Sequence, residues 1–290
     1  MTWLNTIVQG VLLGGLYALF ATGLSLVFGV MRVVNLAHGV LTLLAAYLAL
    51  VVVDLTDVNP FLTLLVVAPL MFALGYAVQR LLINLTLAGG VLPPLLVTFG
   101  IAIIVENGLL ELFSADSQGL NAGRIETASI TITERLAVGW FPLGLFVAAV
   151  LVLGGVQLFV DRTRFGRALR ATSDDREAAQ LMAINDRHIY AVAMGIALAI
   201  AGIAGVFAGV RTTFGPLDGA ILLIFAFEAV IIGGLGSLWG TLIGGIILGV
   251  AQSIGAQLSP GWFQLAGHLV FLAVLVVRPT GLFPREGVAA

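Results

Sequence analysis

One polar segment, from Asp161 to Arg187, limits what this chain can fold into more than any other feature. It holds six arginines and five acidic residues, in a sequence that is 60% hydrophobic and only 10% charged. Each Arg or Asp at the centre of a membrane helix costs about 2.5–3.5 kcal/mol. The segment must therefore lie in water between two apolar blocks, and the chain is predicted to be an all-α, polytopic transmembrane helical bundle.

Apolar runs of about 20 residues predict the membrane spans. We expect eight to nine spans in one transmembrane domain that covers residues 1–290, with a polar loop at about 161–187 and an external loop at about 114–141. The alternating Ile and Thr residues of the external loop predict a small hairpin or an ordered loop. The seventh run is too short to span comfortably, so it is either a span or a re-entrant piece. The runs lie at about 6–30, 36–53, 61–78, 95–113, 143–160, 189–210, 220–232, 241–257 and 262–277.

The arginines predict the orientation, because cytoplasmic loops carry an excess of positive charge. With the 161–187 loop in the cytoplasm, ten of the 13 basic residues lie inside, and the N-terminus is outside and the C-terminus inside. The ten are the six arginines of the loop together with Arg32, Arg80, Arg278 and Arg285. The exceptions are Arg124, Arg135 and Arg211.

Within the 161–187 loop, the pattern predicts one short amphipathic helix. Thr172 and Ser173 are candidate caps ahead of two acids, and Asn185 is a candidate left-handed terminator. The apolar residues Ala178, Leu181, Met182 and Ile184 recur at roughly helical spacing. Such a helix either docks a partner or packs on its own membrane domain.

Four segments of the chain resemble one transporter family. They are RTRFGRALRATSDDREAAQLMAIN in the loop, GGLYALFATGLSLVFGVMRVVNLAHG from Gly14 to Gly39, GGLGSLWGTLIGGIILG from Gly233 to Gly249, and RPTGLF from Arg278 to Phe283. In this order they resemble permeases of the branched-chain amino acid family of bacterial ABC importers. The resemblance implies a subunit that transports and is not an enzyme, in the bacterial inner membrane.

The resemblance also implies that the loop helix is a coupling helix, which seats in a groove of a cytoplasmic ATPase subunit. Carried over by position, the contacts fall on Gly166, Arg167, Ala168, Arg170, Ala171, Asp175, Ala178, Ala179, Leu181 and Asn185. The sequence has no GxxxxGK[ST] motif and no lysine, so ATP and Mg²⁺ are expected on partner ATPase subunits and no cofactor in this chain.

Further partners follow from the same resemblance. We expect two ATPase subunits, a second related permease that forms a heterodimer more readily than a homodimer, a periplasmic or lipid-anchored binding protein, and the lipid bilayer. No nucleic acid is expected.

Asn35 and His38 lie at the junction of the first two spans. They either line the translocation path in a broken-helix segment, or form a tight turn in which Asn35 caps the second helix. Thr22 and Ser25, one turn apart on the first span, are further candidates for the path.

Glu106 and Glu228 are the carboxylates deepest within the predicted spans. A buried Glu is costly in the membrane, so each either lines a water-filled vestibule or holds helices together as a hydrogen-bonded or protonated group. His188 and His268 have no second ligand at metal spacing, so no metal site is expected.

The function implied by the resemblance is import of leucine, isoleucine and valine. Related permeases carry urea, short amides and aromatic or other carboxylic acids, which stay open as substrates. An ion-coupled secondary transporter that uses Glu106 or Glu228, and a channel-like facilitator, are rivals from other classes. Neither rival needs a cytoplasmic docking helix.

Overall fold

The computed structural model describes residues 2–90, 92–133 and 136–283. Arg135 and Arg285, which enter the orientation argument, lie outside these residues. Within the described part, nine helical segments are long and apolar enough to cross a membrane, which confirms the all-α, polytopic prediction. The direction of the chain across the membrane stays a prediction.

The helices follow one another with short connections. A π turn (Gln79–Ile83) and four short 3₁₀ turns (Pro60–Thr63, Leu87–Gly89, Pro216–Asp218, Pro260–Trp262) extend or join them. The α-helices are α1 (Thr2–Met31), α2 (His38–Thr56), α3 (Leu64–Val78), α4 (Asn84–Thr86), α5 (Leu92–Phe113), α6 (Arg124–Thr127), α7 (Trp140–Arg162), α8 (Arg164–Asp174), α9 (Arg176–Leu181), α10 (Asp186–Arg211), α11 (Gly219–Gly233), α12 (Leu238–Leu258) and α13 (Phe263–Val277).

The first helix forms the centre of the bundle. About 89% of its most apolar 18-residue stretch is buried, and the helix packs against α7, α10, α11 and α12. Glycines bring α1 and α12 together, because a Cβ atom added to Gly14 would lie 2.5 Å from the Cα atom of Ile246. Gly10 and Gly249 make the equivalent contact one turn away. Small residues four apart thus allow close helix contact, as their spacing predicts.

The outer helices leave most of their surface uncovered. Only 11% of the most apolar 18-residue stretch of α5, and 6% of the stretch that includes α13, is buried within the chain. Three half-exposed tryptophans, Trp3, Trp140 and Trp262, lie at the starts of α1, α7 and α13. Alternating crossings place these three starts at the same face, where a belt of aromatic side chains marks a membrane interface.

The external loop contains the predicted hairpin. Strand β1 (Ser129–Thr133) pairs antiparallel with β2 (Leu136–Gly139), with Ser129 opposite Gly139. An isolated bridge joins Gln118 of the same loop to Phe214, in the connection between α10 and α11. The external loop therefore rests on that connection.

The seventh span is short. Helix α11 has 15 residues, or about 22 Å of helix against about 30 Å of hydrocarbon. Its first residue, Gly219, lies against α2, since a Cβ atom there would be 2.8 Å from the Cα atom of Val40. Residues 212–218 are non-helical except for a 3₁₀ turn; Phe214 and Pro216 are buried, whereas Leu217 and Asp218 are exposed. Backbone without regular helix is tolerated in a membrane protein where protein buries it or where it lines a water-filled cavity.

Candidate coupling surface and translocation path

The loop at 161–187 contains two helices, α8 and α9, whereas only one was predicted. Helix α8 is capped by Thr163, whose Oγ1 accepts from the Gly166 amide at 3.0 Å. Gly166 lies under α7, where an added Cβ atom would lie 2.1 Å from the carbonyl oxygen of Val160. Leu169 is buried on the same face. Helix α8 thus packs against the end of α7.

The caps of the second loop helix also differ from the prediction. Asp175 is the N-cap of α9, and its carboxylate accepts from the Ala178 amide at 3.0 Å. Thr172 and Ser173 instead lie in the last turn of α8, where the Thr172 hydroxyl donates to the Ala168 carbonyl four residues back at 2.8 Å. Asn185 is not the left-handed residue; it caps α10, and Ala183 takes the positive φ of 60°.

The ten residues that the resemblance implies as ATPase contacts differ in their exposure to solvent. Gly166 and Ala179 are buried and face the membrane domain, so they position the helices and do not form part of an exposed surface. Ala168 and Arg170 are half-buried. The exposed members are Arg167, Ala171, Asp175, Ala178, Leu181 and Asn185.

The end of α9 presents two large apolar side chains to water. Leu181 is 89% exposed and its neighbour Met182 is 77% exposed. Both lie in a loop that is too charged to enter the membrane, so lipid does not cover them. An exposed apolar pair with charged neighbours is typical of a docking surface.

Polar contacts fix both loop helices to the spans. The Ser173 hydroxyl donates to the Gly29 carbonyl at 2.7 Å, which joins α8 to α1. On α9, Arg176 pairs with Asp186 at 2.7 Å and lies over the ring of Tyr190, both in the first turns of α10. These contacts connect α8 to α1 and α9 to α10.

The break between α1 and α2 begins at the exposed Arg32 and is buried at Asn35 and Ala37. The Asn35 side chain accepts from the Ala37 amide at 3.0 Å, and the His38 Nε2 atom lies 2.8 Å from the Phe20 carbonyl. Phe20 lies eleven residues before the end of α1, about 16 Å along the axis. The chain thus turns back into the protein after Met31, and α2 begins deep in the bundle.

Thr22 and Ser25 are both fully buried in α1. Thr22 donates to the Ala18 carbonyl at 2.5 Å, whereas the Ser25 hydroxyl has no partner. Ser25 lines a cavity of about 290 Å³ that also includes Arg170. The structure therefore brings one path candidate and one coupling candidate to the same place, while Thr22 does not line this cavity.

The two candidate carboxylates have different surroundings. Glu228 is 3% exposed and hydrogen-bonded to His268 of α13, while its Oε2 atom is buried without a partner. Glu106 is half-exposed on the uncovered side of α5, next to the exposed Asn107. The two residues therefore do not share a site within this chain.

A second buried polar pair was not expected. The Tyr17 hydroxyl of α1 donates to the Gln252 side chain of α12, and the Gln252 Nε2 atom has no partner. Both residues lie in the middle of apolar spans. The signal for Gln252 was available, since a carboxamide inside an apolar run needs a hydrogen-bonding partner.

The comparisons with known proteins agree along the whole chain. A family model described as "Branched-chain amino acid transport system / permease component" matches residues 6–278. The chain belongs to this permease family. It is therefore a transport subunit and a multi-pass protein of the inner membrane, and the family match favours an importer subunit over a secondary transporter or a facilitator.

Individual relatives cover nearly all of the permease. The high-affinity branched-chain amino acid transport system permease protein BraD of Pseudomonas aeruginosa is 30% identical over 300 residues, 99% of this chain and 97% of its own. LivH of Escherichia coli, a permease protein of the same description, is 29% identical over 307 residues with the same coverage. LivM of Escherichia coli is 26% identical and covers 93% of this chain and 68% of its own. No solved structure matches the chain.

Proposed function

We propose that this permease is one of two transmembrane subunits of an ATP-driven importer for branched-chain amino acids. The exposed Leu181 and Met182 pair on α9 carries the coupling part of this proposal, because a water-facing apolar pair on a tethered helix needs a protein partner. The substrate class is that named for BraD and LivH, which align over almost the entire chain.

Coupling follows from the connections of the loop. ATP and Mg²⁺ bind to two partner ATPase subunits, which contact the exposed residues of α8 and α9. When the ATPases close, they displace these helices. The Ser173–Gly29 bond and the Arg176–Asp186 pair pass the displacement to α1 and α10. No covalent chemistry takes place on the substrate in this chain.

The second permease covers α5. Its uncovered side carries Asn107 and Glu111 as exposed residues and Glu106 as a half-exposed one, and lipid is a costly neighbour for such groups. A partner permease and a water-filled path between the two subunits provide polar surroundings for them. LivM, a second permease type among the relatives, supports a heterodimer.

Substrate enters from the opposite face. A cavity of about 290 Å³ lies between α2, α10 and α11, with apolar walls that include Leu43, Ile221 and Phe225 and with Asp218 in its lining. The external loop, which rests on the connection at Phe214, lies beside it. A periplasmic or lipid-anchored binding protein delivers the amino acid here.

Tagged purification in mild detergent, followed by reconstitution, tests this function. We expect two ATPase subunits and a second permease to co-purify, and the assembly with its binding protein to take up leucine, isoleucine and valine only with ATP. Urea, a short amide and benzoate serve as alternative substrates in parallel assays. Purification of the chain alone, with uptake that needs no ATP, would contradict the proposal.

A further inference from the structure

The cavity that contains Ser25 and Arg170 has the features of a small-molecule site. Its volume of about 290 Å³ is at the lower end of the range for such sites, about 300–1,000 Å³. It is lined by the second half of α1, the end of α7, the middle of α8, and the loop before α12 with the first residues of that helix. These elements meet at the face from which the charged loop extends.

Two polar side chains in this cavity can form further hydrogen bonds. The Ser25 hydroxyl is fully buried and has no partner. The Nη1 atom of Arg170 donates to the Val160 carbonyl at 2.5 Å and to the Asp161 carboxylate at 3.0 Å. Within the described part of the chain, the remaining N–H groups of this guanidinium are left for another acceptor. A buried hydroxyl and a partly free guanidinium together match a carboxylate.

The other residues that line the cavity suit the ammonium group and the aliphatic side chain of an amino acid. Asp161 carries the negative charge next to Arg170, with Gln157 bonded to its other oxygen at 2.7 Å. Leu26, Val30 and Leu238 provide an apolar side. The cavity therefore offers a site for a carboxylate, a negative charge near an ammonium group, and room for an aliphatic side chain.

The position of the cavity links its occupancy to coupling. It lies between α1 and α8, the two helices that the Ser173–Gly29 bond joins, and Gly29 is part of its lining. A molecule held by Ser25 of α1 and Arg170 of α8 bridges the same two helices. Such a bridge restrains the movement by which α8 transmits the action of the ATPases.

We propose that this cavity binds an aliphatic α-amino acid from the cytoplasm and that its occupancy slows import. The inference rests on the proposed function for the substrate class. It assigns a second role to the transported amino acid: the imported product binds on the inner side and inhibits the importer that delivered it.

Equilibrium binding of radiolabelled L-leucine to the assembled importer in lipid nanodiscs, without binding protein, tests the site. We expect saturable binding that valine and isoleucine displace and that glutamate and inorganic phosphate do not. Ser25→Ala removes a hydroxyl that has no partner, so folding is spared, and affinity falls about five-fold, the effect of one lost hydrogen bond. Leu238→Trp fills the cavity from α12 and abolishes binding.

Thr172→Val is the matched control. Thr172 is also buried, lies on α8 two residues from Arg170 and does not line the cavity, so leucine affinity should be unchanged. In proteoliposomes with the ATPases facing outward and loaded binding protein inside, added leucine should lower ATP hydrolysis, and Ser25→Ala should weaken that inhibition.

The outcomes separate this proposal from the proposed function. An assembly that transports leucine but shows no saturable binding, or binding that Ser25→Ala leaves unchanged, overturns the cytoplasmic site while the importer stands. Displacement of leucine by phosphate identifies an anion or lipid-headgroup site and also overturns it. An assembly that does not transport leucine at all overturns the proposed function first.

Discussion

The hydroxyl of Ser173, in the last turn of α8, donates a hydrogen bond to the carbonyl of Gly29, near the end of α1, at 2.7 Å. This bond connects the charged loop to the most buried helix of the bundle. A carbonyl in the last turn of a helix has no partner in its own helix, so a side chain from outside is well suited to it.

Ser173→Ala should impair coupling while ATPase binding is retained. The variant removes a single hydrogen bond, worth about 0.5–1.5 kcal/mol, so uptake per ATP hydrolysed should fall by several-fold. The measurement is the ratio of leucine uptake to phosphate release in proteoliposomes. Ser173→Thr keeps the hydroxyl and is the control; equal ratios for the wild type and Ser173→Ala would show that the bond plays no part in coupling.

Cysteine labelling tests the orientation directly, because the chain has no cysteine of its own. We expect a membrane-impermeant maleimide to label Leu217→Cys in intact cells and Leu181→Cys only after permeabilisation. Both positions are exposed, at 59% and 89%, so access to the reagent and not burial decides the result. The reverse pattern would place the N-terminus inside.

Gly14→Ala should weaken the contact between α1 and α12. The added Cβ atom would lie 2.5 Å from the Cα atom of Ile246, and overpacking of this kind costs about 1–3 kcal/mol. The unfolding temperature in detergent is the measurement. Gly154→Ala in α7 is the matched control, since nothing lies within 4 Å of its Cβ position; equal losses in the two variants would refute close packing at Gly14.

Glu228 and His268 should be energetically coupled. Hydrogen bonds between membrane helices contribute about 0.6–2 kcal/mol, so a double-mutant cycle of Glu228→Ala and His268→Ala should show a coupling energy in that range. Unfolding in detergent supplies the four free energies, and Glu228→Gln should retain most of the stability. Strictly additive losses would mean that the pair does not hold α13 to α11. A loss of transport in a fully stable Glu228→Gln variant would instead support the vestibule role.

The number of spans could be predicted, but their arrangement could not. Helices α1 and α5 have nearly equal mean hydropathies of 2.0 and 1.9, yet 89% of one stretch and 11% of the other are buried. Lipid and protein interior are both apolar, so hydropathy does not distinguish a central helix from a peripheral one. The four-residue spacing of Gly10 and Gly14 is the feature of the sequence that indicates close packing of α1 against another helix.

The loop and its second helix, α9, were predicted, but α8 was not. The charges of the loop fixed its place in water, and the apolar spacing indicated the second helix. Helix α8 was missed because Thr172 and Ser173 suit the interior of a helix as well as a cap, and the true cap, Thr163, lies nine residues earlier. The contacts of Ser25 and Arg170 around one cavity depend on tertiary packing, which one sequence does not reveal.

Site-specific cross-linking from the end of α9 tests the central claim that this helix docks the ATPases. Leu181→Cys and Met182→Cys are introduced separately into the assembled importer and labelled with a maleimide that carries a benzophenone, which on illumination inserts into C–H bonds of the protein it touches. Leu55→Cys, 79% exposed at the far end of α2, is the control. We predict a cross-linked product with an ATPase subunit for both loop variants and none for the control. If neither loop variant forms that product although the assembly still hydrolyses ATP and transports leucine, α9 is not the coupling element.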